Sequence, residues 1–331
     1  MRRKLRVTVI GNGKGNMTVV RLIHAIWTDV FLYVVVGVFD TGGHSGTLRE
    51  LGYVALGDIR KILQVLADKR NLVTSWGKSF LRRYKNGVSK GNMLLKNAID
   101  RLGSLPAAIE YCGGKLGVKK DRVSVLPVSL CNSDIIGFAC DSPLTFRGQD
   151  LIDNSPRHHQ IPTVTLAPPA YIYAGAANAI EKSDLIIIDP GSFASILANL
   201  FVTKMRDVIV AAQKRGARVG IILNATTFAH WSSFQTVDDY LDAFCAALSI
   251  DGRFIFDVVF VNTRLPSASV RRRLALNKEV PIWPSSTDLA LKIKEGPYVT
   301  WTEKGPRHNR RFMEDLMAYA RQNCKSQNFR K

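Results

Sequence analysis

No run of about eighteen apolar residues occurs anywhere in the chain, so no segment is long and apolar enough to cross a bilayer as a helix. The opening MRRKLR leads into an apolar run ending in Gly-Asn-Gly. A signal core would instead end at a small-residue cleavage site, so the expected compartment is the cytoplasm. Cysteine is scarce: Cys112, Cys131, Cys140, Cys245 and Cys324 are odd in number and include no C-x-x-C pair, which argues against a disulfide framework or a zinc site. Internal repeats and low-complexity segments are also missing. Acidic residues are in deficit, 27 against 46 basic, for a formal net charge of +19. Such a balance favours anionic partners: nucleotides, nucleic acid or an acidic surface. The basic clusters at Arg2–Arg6, Lys78–Lys90, Lys115–Arg122, Arg271–Arg273 and from Lys304 onward are scattered and lack interleaved aromatic platforms. Nucleic acid is therefore kept only as a third reading, and solvated charge is the default for the tail.

What is present is organised around Val7–Asp40, VTVIGNGKGNMTVVRLIHAIWTDVFLYVVVGVFD. An apolar run breaks at Gly11, Gly13 and Gly15. Val20, Ile23 and Trp27 then recur at helical spacing, and Phe31–Phe39 is a nearly unbroken β-branched and aromatic run. The pattern predicts strand, loop, helix and a parallel strand covered on both faces, with a right-handed crossover. Glycines at such a turn let backbone amides approach an anion, and the helix behind adds the positive end of its dipole. The loop fits neither common fingerprint: Asn16 stands where a dinucleotide loop needs glycine, and Lys14 precedes Gly15, not Ser or Thr. The loop thus reads as a phosphate site or as a glycine-rich structural turn, and Lys14 as a phosphate contact or a solvated lysine.

Further along, the glycine turn TGGHSG follows Asp40 at the carboxyl end of the second strand, where ligands of open α/β sheets bind. A helix with Ile59, Ile62, Leu63 and Leu66 as its buried stripe begins near Asp58, a residue suited to cap it. Residues 71–120 read as a helical lobe, with Gly91 and Asn92 at the mouth of one helix. Residues 122–169 break into short β-type pieces, RVSVLPVSL, DIIGFAC, PLTFRG and TVTLAP, forming a partly antiparallel elaboration. The adjacent His158 and His159 read as a surface turn. Strands ending at Asp189, Asn224 and Asn262 then place three small polar residues on one rim of the sheet, and a basic helix over 304–331 closes the chain. Ser192 reads as the N-cap of helix Phe193–Leu200, since no Gly-x-Ser-x-Gly elbow surrounds it. The fold class is α/β: a Rossmann-like, doubly wound, mainly parallel sheet with a helical lobe and a small antiparallel elaboration, in one domain of 331 residues.

Taken in order, these turns resemble the gluconeogenesis factor (YvcK-type) family, within the superfamily of 2-phospho-L-lactate transferases (CofD-type). Gly11-Asn12-Gly13-Lys14-Gly15 stands at the superfamily's Gly-Gly-Gly-Thr-Gly. Asp40-Thr41-Gly42-Gly43-His44-Ser45-Gly46 stands at its Asp-Asp-Gly-Gly-Ser-Ser-Gly, and Leu56-Gly57-Asp58-Ile59-Arg60-Lys61 at its Pro-Gly-Asp-Ile-Arg-Asn. Gly91-Asn92, Asp189-Pro190-Gly191-Ser192 with SILANLFV after it, VDDYLDAF, FDVVFVNTRLP and Arg307-His308-Asn309 continue the likeness.

The resemblance implies a regulatory protein of carbon metabolism and cell-wall or cell-shape control, holding a nucleotide diphosphate, of the UDP-sugar kind. The alternative it offers is transfer of a phospholactyl group to a deazaflavin alcohol. No cofactor is required on the first reading, and Mg2+ enters only on the second. By the same resemblance Gly11, Asn12, Gly13, Lys14 and Gly15 cradle phosphate, with Gly191 and Ser192 on the opposite rim. Asp40, Gly42, Gly43, Asp58, Arg60, Asn92, Asn224 and Arg307 are expected around the ligand cleft. No catalytic residue or metal ligand is assigned, and a homodimer is carried over from the family alone. Departures are informative: Thr41 removes the second of two acids, Lys14 and Lys61 add positive charge, Val88 replaces a histidine, and Leu274 stands where the family has a tyrosine.

Overall fold

In the computed structural model of the chain, the described residues are 3–139, 142–155, 163–228, 236–248, 256–277, 279–283, 292–302 and 305–324. A seven-stranded sheet forms the centre. Edge to edge its strands are Lys292–Gly296, Val258–Asn262, Arg218–Ile222, Leu185–Ile188, Leu5–Gly11, Val30–Val36 and Val123–Pro127, and every neighbouring pair is parallel. The third, second and first strands of this sheet in sequence run outward one way, and the later ones run the other. The order therefore reverses between Leu5–Gly11 and Leu185–Ile188, which is the topological switch point of a doubly wound fold.

The inner strands are apolar without alternation because helices cover both faces: Ile187, Ile186, Val9, Val34 and Val35 are all fully buried. Helix Gly13–Ile26 lays Val19, Val20 and Ile23 on the sheet, and Trp27 beyond its end is also buried. Full burial of each such side chain is worth about 1.5–3 kcal/mol. Helix Gly57–Leu66 packs against it and buries the expected Ile59, Ile62, Leu63 and Leu66.

The helical lobe contains helices Lys69–Leu72, Ser75–Leu81, Lys90–Leu102 and Leu105–Lys115, the last three capped by Thr74, Ser89 and Ser104. Within 122–169 the first piece, Val123–Pro127, joins the parallel sheet as its edge. Only Asp134–Phe138, Thr145–Arg147 and Thr163–Ala167 form the separate antiparallel sheet. At the C-terminal end the chain first makes a hairpin, Val299–Thr302 with Gly305–His308. Helix Arg310–Asn323, beginning after the hairpin and not at residue 304, buries Phe312, Met313, Leu316 and Tyr319, so the described part of the basic end is an amphipathic packing element with its arginines outside, and residues 325–331 lie outside the described residues. His158, His159 and Lys304 lie outside the described residues. No helix among the described residues is long and apolar enough to cross a membrane.

Candidate functional site

A cleft of about 440 Å3 opens at the switch point, and the glycine loop forms one side of it. The three loop glycines have different reasons to be glycine. A β-carbon on Gly11 would overlap the Asp189 carboxyl group, and one on Gly15 would overlap the carbonyl of Pro190, so these two let neighbouring turns touch. Gly13 has nothing within 4 Å but adopts φ +72°, the left-handed region, as the chain turns into its helix. Asn12 at the N-cap makes no capping bond and the first turn holds no acid. The anion-seeking end of the helix is thus left for a partner from elsewhere.

That partner is Asp58. Its Oδ2 accepts the Gly13 N–H at 2.8 Å while Oδ1 takes Lys61 Nζ at 2.7 Å. The expected capping role is therefore corrected. Asp58 sits inside the first turn of its helix, whose N-cap is Leu56 with no side-chain cap bond, because its carboxylate is drawn across to the glycine loop.

Asn12, Gly13, Lys14, Gly15, Asp40, Asp58, Gly191, Ser192 and Asn224 all line the cleft. Ser192 caps helix Phe193–Leu200 by accepting from Ser195 N at 3.3 Å, as expected. Other expected residues stand elsewhere. Gly11 packs behind the loop on Asp189. Gly42 donates its N–H to Asp40 Oδ1 at 2.9 Å, folding the second turn back on itself, and Gly43 is exposed. Arg60 and Asn92 belong to a neighbouring cluster: Asn92 Nδ2 meets His44 Nδ1 at 3.2 Å, and Arg60 donates to Gln64 Oε1 at 3.2 Å. Burial and the nearby Arg83 lower the Arg60 pKa, and burial with Arg83 and Arg60 lowers that of His44. Arg307 reaches a second, adjoining hollow of about 430 Å3 on the far flank of the loop helix, together with Lys14, Arg21, Arg273 and Leu274.

Sequence reasoning missed several lining residues: Gln149, Asp153, Thr227, Tyr240, Glu279 and His308. Helix Gln149–Asp153 follows the antiparallel strand Thr145–Arg147, and only tertiary packing swings it over the cleft, where Asp150 N donates to Thr41 Oγ1 at 3.1 Å. Burial raises the Asp40 carboxyl above its ordinary range, opposed by the Gly42 N–H and assisted by Asp58. Asp153 is pushed up to about 7, chiefly by burial. Asp189, at the carboxyl end of the central strand Leu185–Ile188 and beneath the loop, is fully buried and shifted well upward by that burial. Burial also pushes His308 down to about 4, so its imidazole is neutral near pH 7.

Several of the acids in the cleft are bonded within the chain. Both Asp58 oxygens already have donors, one Asp40 oxygen holds Gly42 N–H, and Thr41 is tied to the backbone of Asp150. Asp153, Asn12 and Asn224 keep unpaired oxygens, so the acids and amides of the cleft are only partly engaged by the chain itself.

Comparison with known proteins agrees with this architecture. The crystal structure of a Bacillus halodurans protein superposes with a TM-score of 0.84 at 27% identity, covering 95% of this chain and 99% of that one. A protein of Nostoc sp. PCC 7120 named putative gluconeogenesis factor is 31% identical over 285 residues, which are 84% of this chain but only 59% of that protein's length. The Bacillus subtilis protein named gluconeogenesis factor is 27% identical over 330 residues, 96% of this chain and 98% of its own. A match to the family described as 2-phospho-L-lactate transferase CofD runs from residue 7 to residue 295. With the doubly wound sheet, its switch-point loop and nearly the whole length accounted for, the chain belongs to the CofD family, and within it resembles the proteins named gluconeogenesis factor.

Proposed function

We propose that the cleft binds a nucleotide diphosphate of the UDP-sugar class and that the chain works as a regulatory protein of the gluconeogenesis factor kind, tied to carbon metabolism and to cell-wall or cell-shape control. The observation carrying this reading is the bond from Gly13 N–H to the Asp58 carboxylate at the uncapped start of helix Gly13–Ile26. A carboxylate there stands where a phosphate oxygen would, so the loop is already arranged to hold an anion. Lys14 is exposed beside it, and Lys61, now paired with Asp58, is available to a phosphate that displaces that carboxylate. The relatives' name, gluconeogenesis factor, supports the tie to carbon metabolism.

Binding without turnover is favoured over phospholactyl transfer by the bonding of the acids. Transfer from a diphosphate calls for Mg2+ to neutralise developing charge, whereas Thr41 stands where the family has a second acid and Asp58 is engaged by Gly13 N–H and Lys61.

A thermal-shift panel of UDP sugars, GDP, NAD and ADP, with and without Mg2+, tests the reading. A UDP sugar at one hundred times its dissociation constant is expected to add about 2.7 kcal/mol of stability. Absence of any shift from the whole panel would overturn the assignment, and magnesium-dependent consumption of a phospholactyl nucleotide would replace it with the transferase.

A further inference from the structure

The cleft has a second wall that the anion loop does not use. Helix Gln149–Asp153, the cap of helix Phe193–Leu200 and the turn after strand Arg218–Ile222 build it. Gln149 Nε2 donates to Asp153 Oδ2 at 3.1 Å and stands 3.4 Å from the Ser192 hydroxyl. Asn224 turns its amide N–H to the carbonyl of Gly191 at 2.5 Å. What these bonds leave over is of one kind. Asp153 Oδ1, Asn224 Oδ1 and, at the junction with the loop, Asn12 Oδ1 are buried acceptors with no donor. Among the described residues lining the cleft, the only Lys or Arg side chains are Lys14 and Lys61, and Lys61 is bonded to Asp58 on the loop side.

Buried acceptors left without donors cost free energy, and a ligand that supplies donors recovers it. A second phosphate would meet carboxylate and carbonyl oxygens here and be repelled. A neutral group carrying several hydroxyls would satisfy all three acceptors.

On the reading of the cleft as a nucleotide-diphosphate site, on which this rests, we infer that Asp153, with Asn224 and Asn12, forms the subsite selecting the uncharged polyhydroxyl portion of the ligand, Asp153 being the specificity-determining acceptor. The groups facing Asp153 are Asp150 on its own helix, Asp40 across the cleft, Tyr240 from helix Val237–Leu248, and the neutral Gln149 and Ser192. Their combined environment leaves the carboxyl titrating at about 7. A hydroxyl donor bonds the ionised form more strongly, so sugar binding releases a proton near neutrality.

Titration calorimetry on the full chain with UDP, UDP-glucose and UDP-N-acetylglucosamine tests the inference. The wild type is expected to hold at least one sugar nucleotide about tenfold or more tighter than UDP at about pH 8, with the advantage shrinking below about pH 6. Asp153→Asn is expected to erase most of that preference while UDP itself stays within about twofold of wild type, which also shows the variant folded. Equal affinity of the wild type for UDP and its sugars, or an Asp153→Asn protein with undiminished preference, overturns the subsite and leaves the diphosphate site standing. Binding of neither UDP nor any UDP sugar to the wild type overturns both. If the variant fails to fold, the pH profile of the wild-type preference decides: a flat profile overturns the inference.

Discussion

Two glycine-rich turns follow adjacent parallel strands of the sheet, Gly11–Gly15 after the first and Gly42–Gly46 after the second, and on composition they look alike. The structure uses them differently. The first lies at the switch point, where the strands part and leave a crevice, and its Gly13 amide faces an anionic partner. The second is one strand away from the switch point. Its glycine amide is spent on Asp40 of the same turn, and of this turn only Asp40 reaches the cleft. Glycine content marks a turn, whereas strand order decides whether the turn meets a ligand.

The largest expected effect that sharpens this contrast is on stability. Gly11→Val drives a branched side chain into buried Asp189 and is expected to cost about 3 kcal/mol or more, read from urea unfolding. Gly43→Ala, with φ +51° and ψ −129° but nothing within 4 Å, should cost less, about 2 kcal/mol. Equal costs would break the comparison. Next in size is ligand affinity: Lys14→Ala is expected to weaken UDP binding about tenfold, whereas His44→Ala in the second turn should leave it within about twofold.

A smaller effect has the opposite sign. Asp58→Asn removes the negative charge that a phosphate must displace, so diphosphate affinity should rise about threefold while losing the ion pair to Lys61 costs about 1 kcal/mol or less of stability. Weaker binding by this variant would mean that Asp58 holds the ligand and does not stand in for it.

A separate effect is the pH dependence of stability. Asp153 moves from an ordinary 3.8 to about 7 in the fold, so the native state binds more protons than the unfolded chain over that window and stability falls as pH rises through it. His308 moves from 6.5 to about 4, so there the unfolded chain binds more protons and stability is lost as pH falls through that window. Urea midpoints from about pH 4 to pH 8 should show Asp153→Asn removing the first slope and His308→Gln the second.

Much of the frame was legible in the residues. Helix Phe193–Leu200 begins and ends where its apolar spacing and the Ser192 cap put it, because those signals act within one turn of the chain. The β pieces of 122–169 were recognisable as strands, but their sharing between two sheets was not, since RVSVLPVSL and TVTLAP carry the same local propensity. Among site residues, the loop, Asp40 and Ser192 could be read from turn chemistry. Asp153 and His308 could not, because nothing in GQDLID or in the hairpin before Arg310 announces which face turns inward.

The linear order of apolar runs, glycines and caps was enough to specify a doubly wound sheet with an anion-seeking loop after its first strand, because periodicity and φ requirements are local properties. Only the packed chain decided that Gly13 greets Asp58, that Gly11 and Gly15 serve neighbouring turns, and that Asp153 closes the far wall. These are contacts between segments 45 to about 180 residues apart, and such pairings are fixed by strand order and side-chain volume, quantities that no short window of sequence contains.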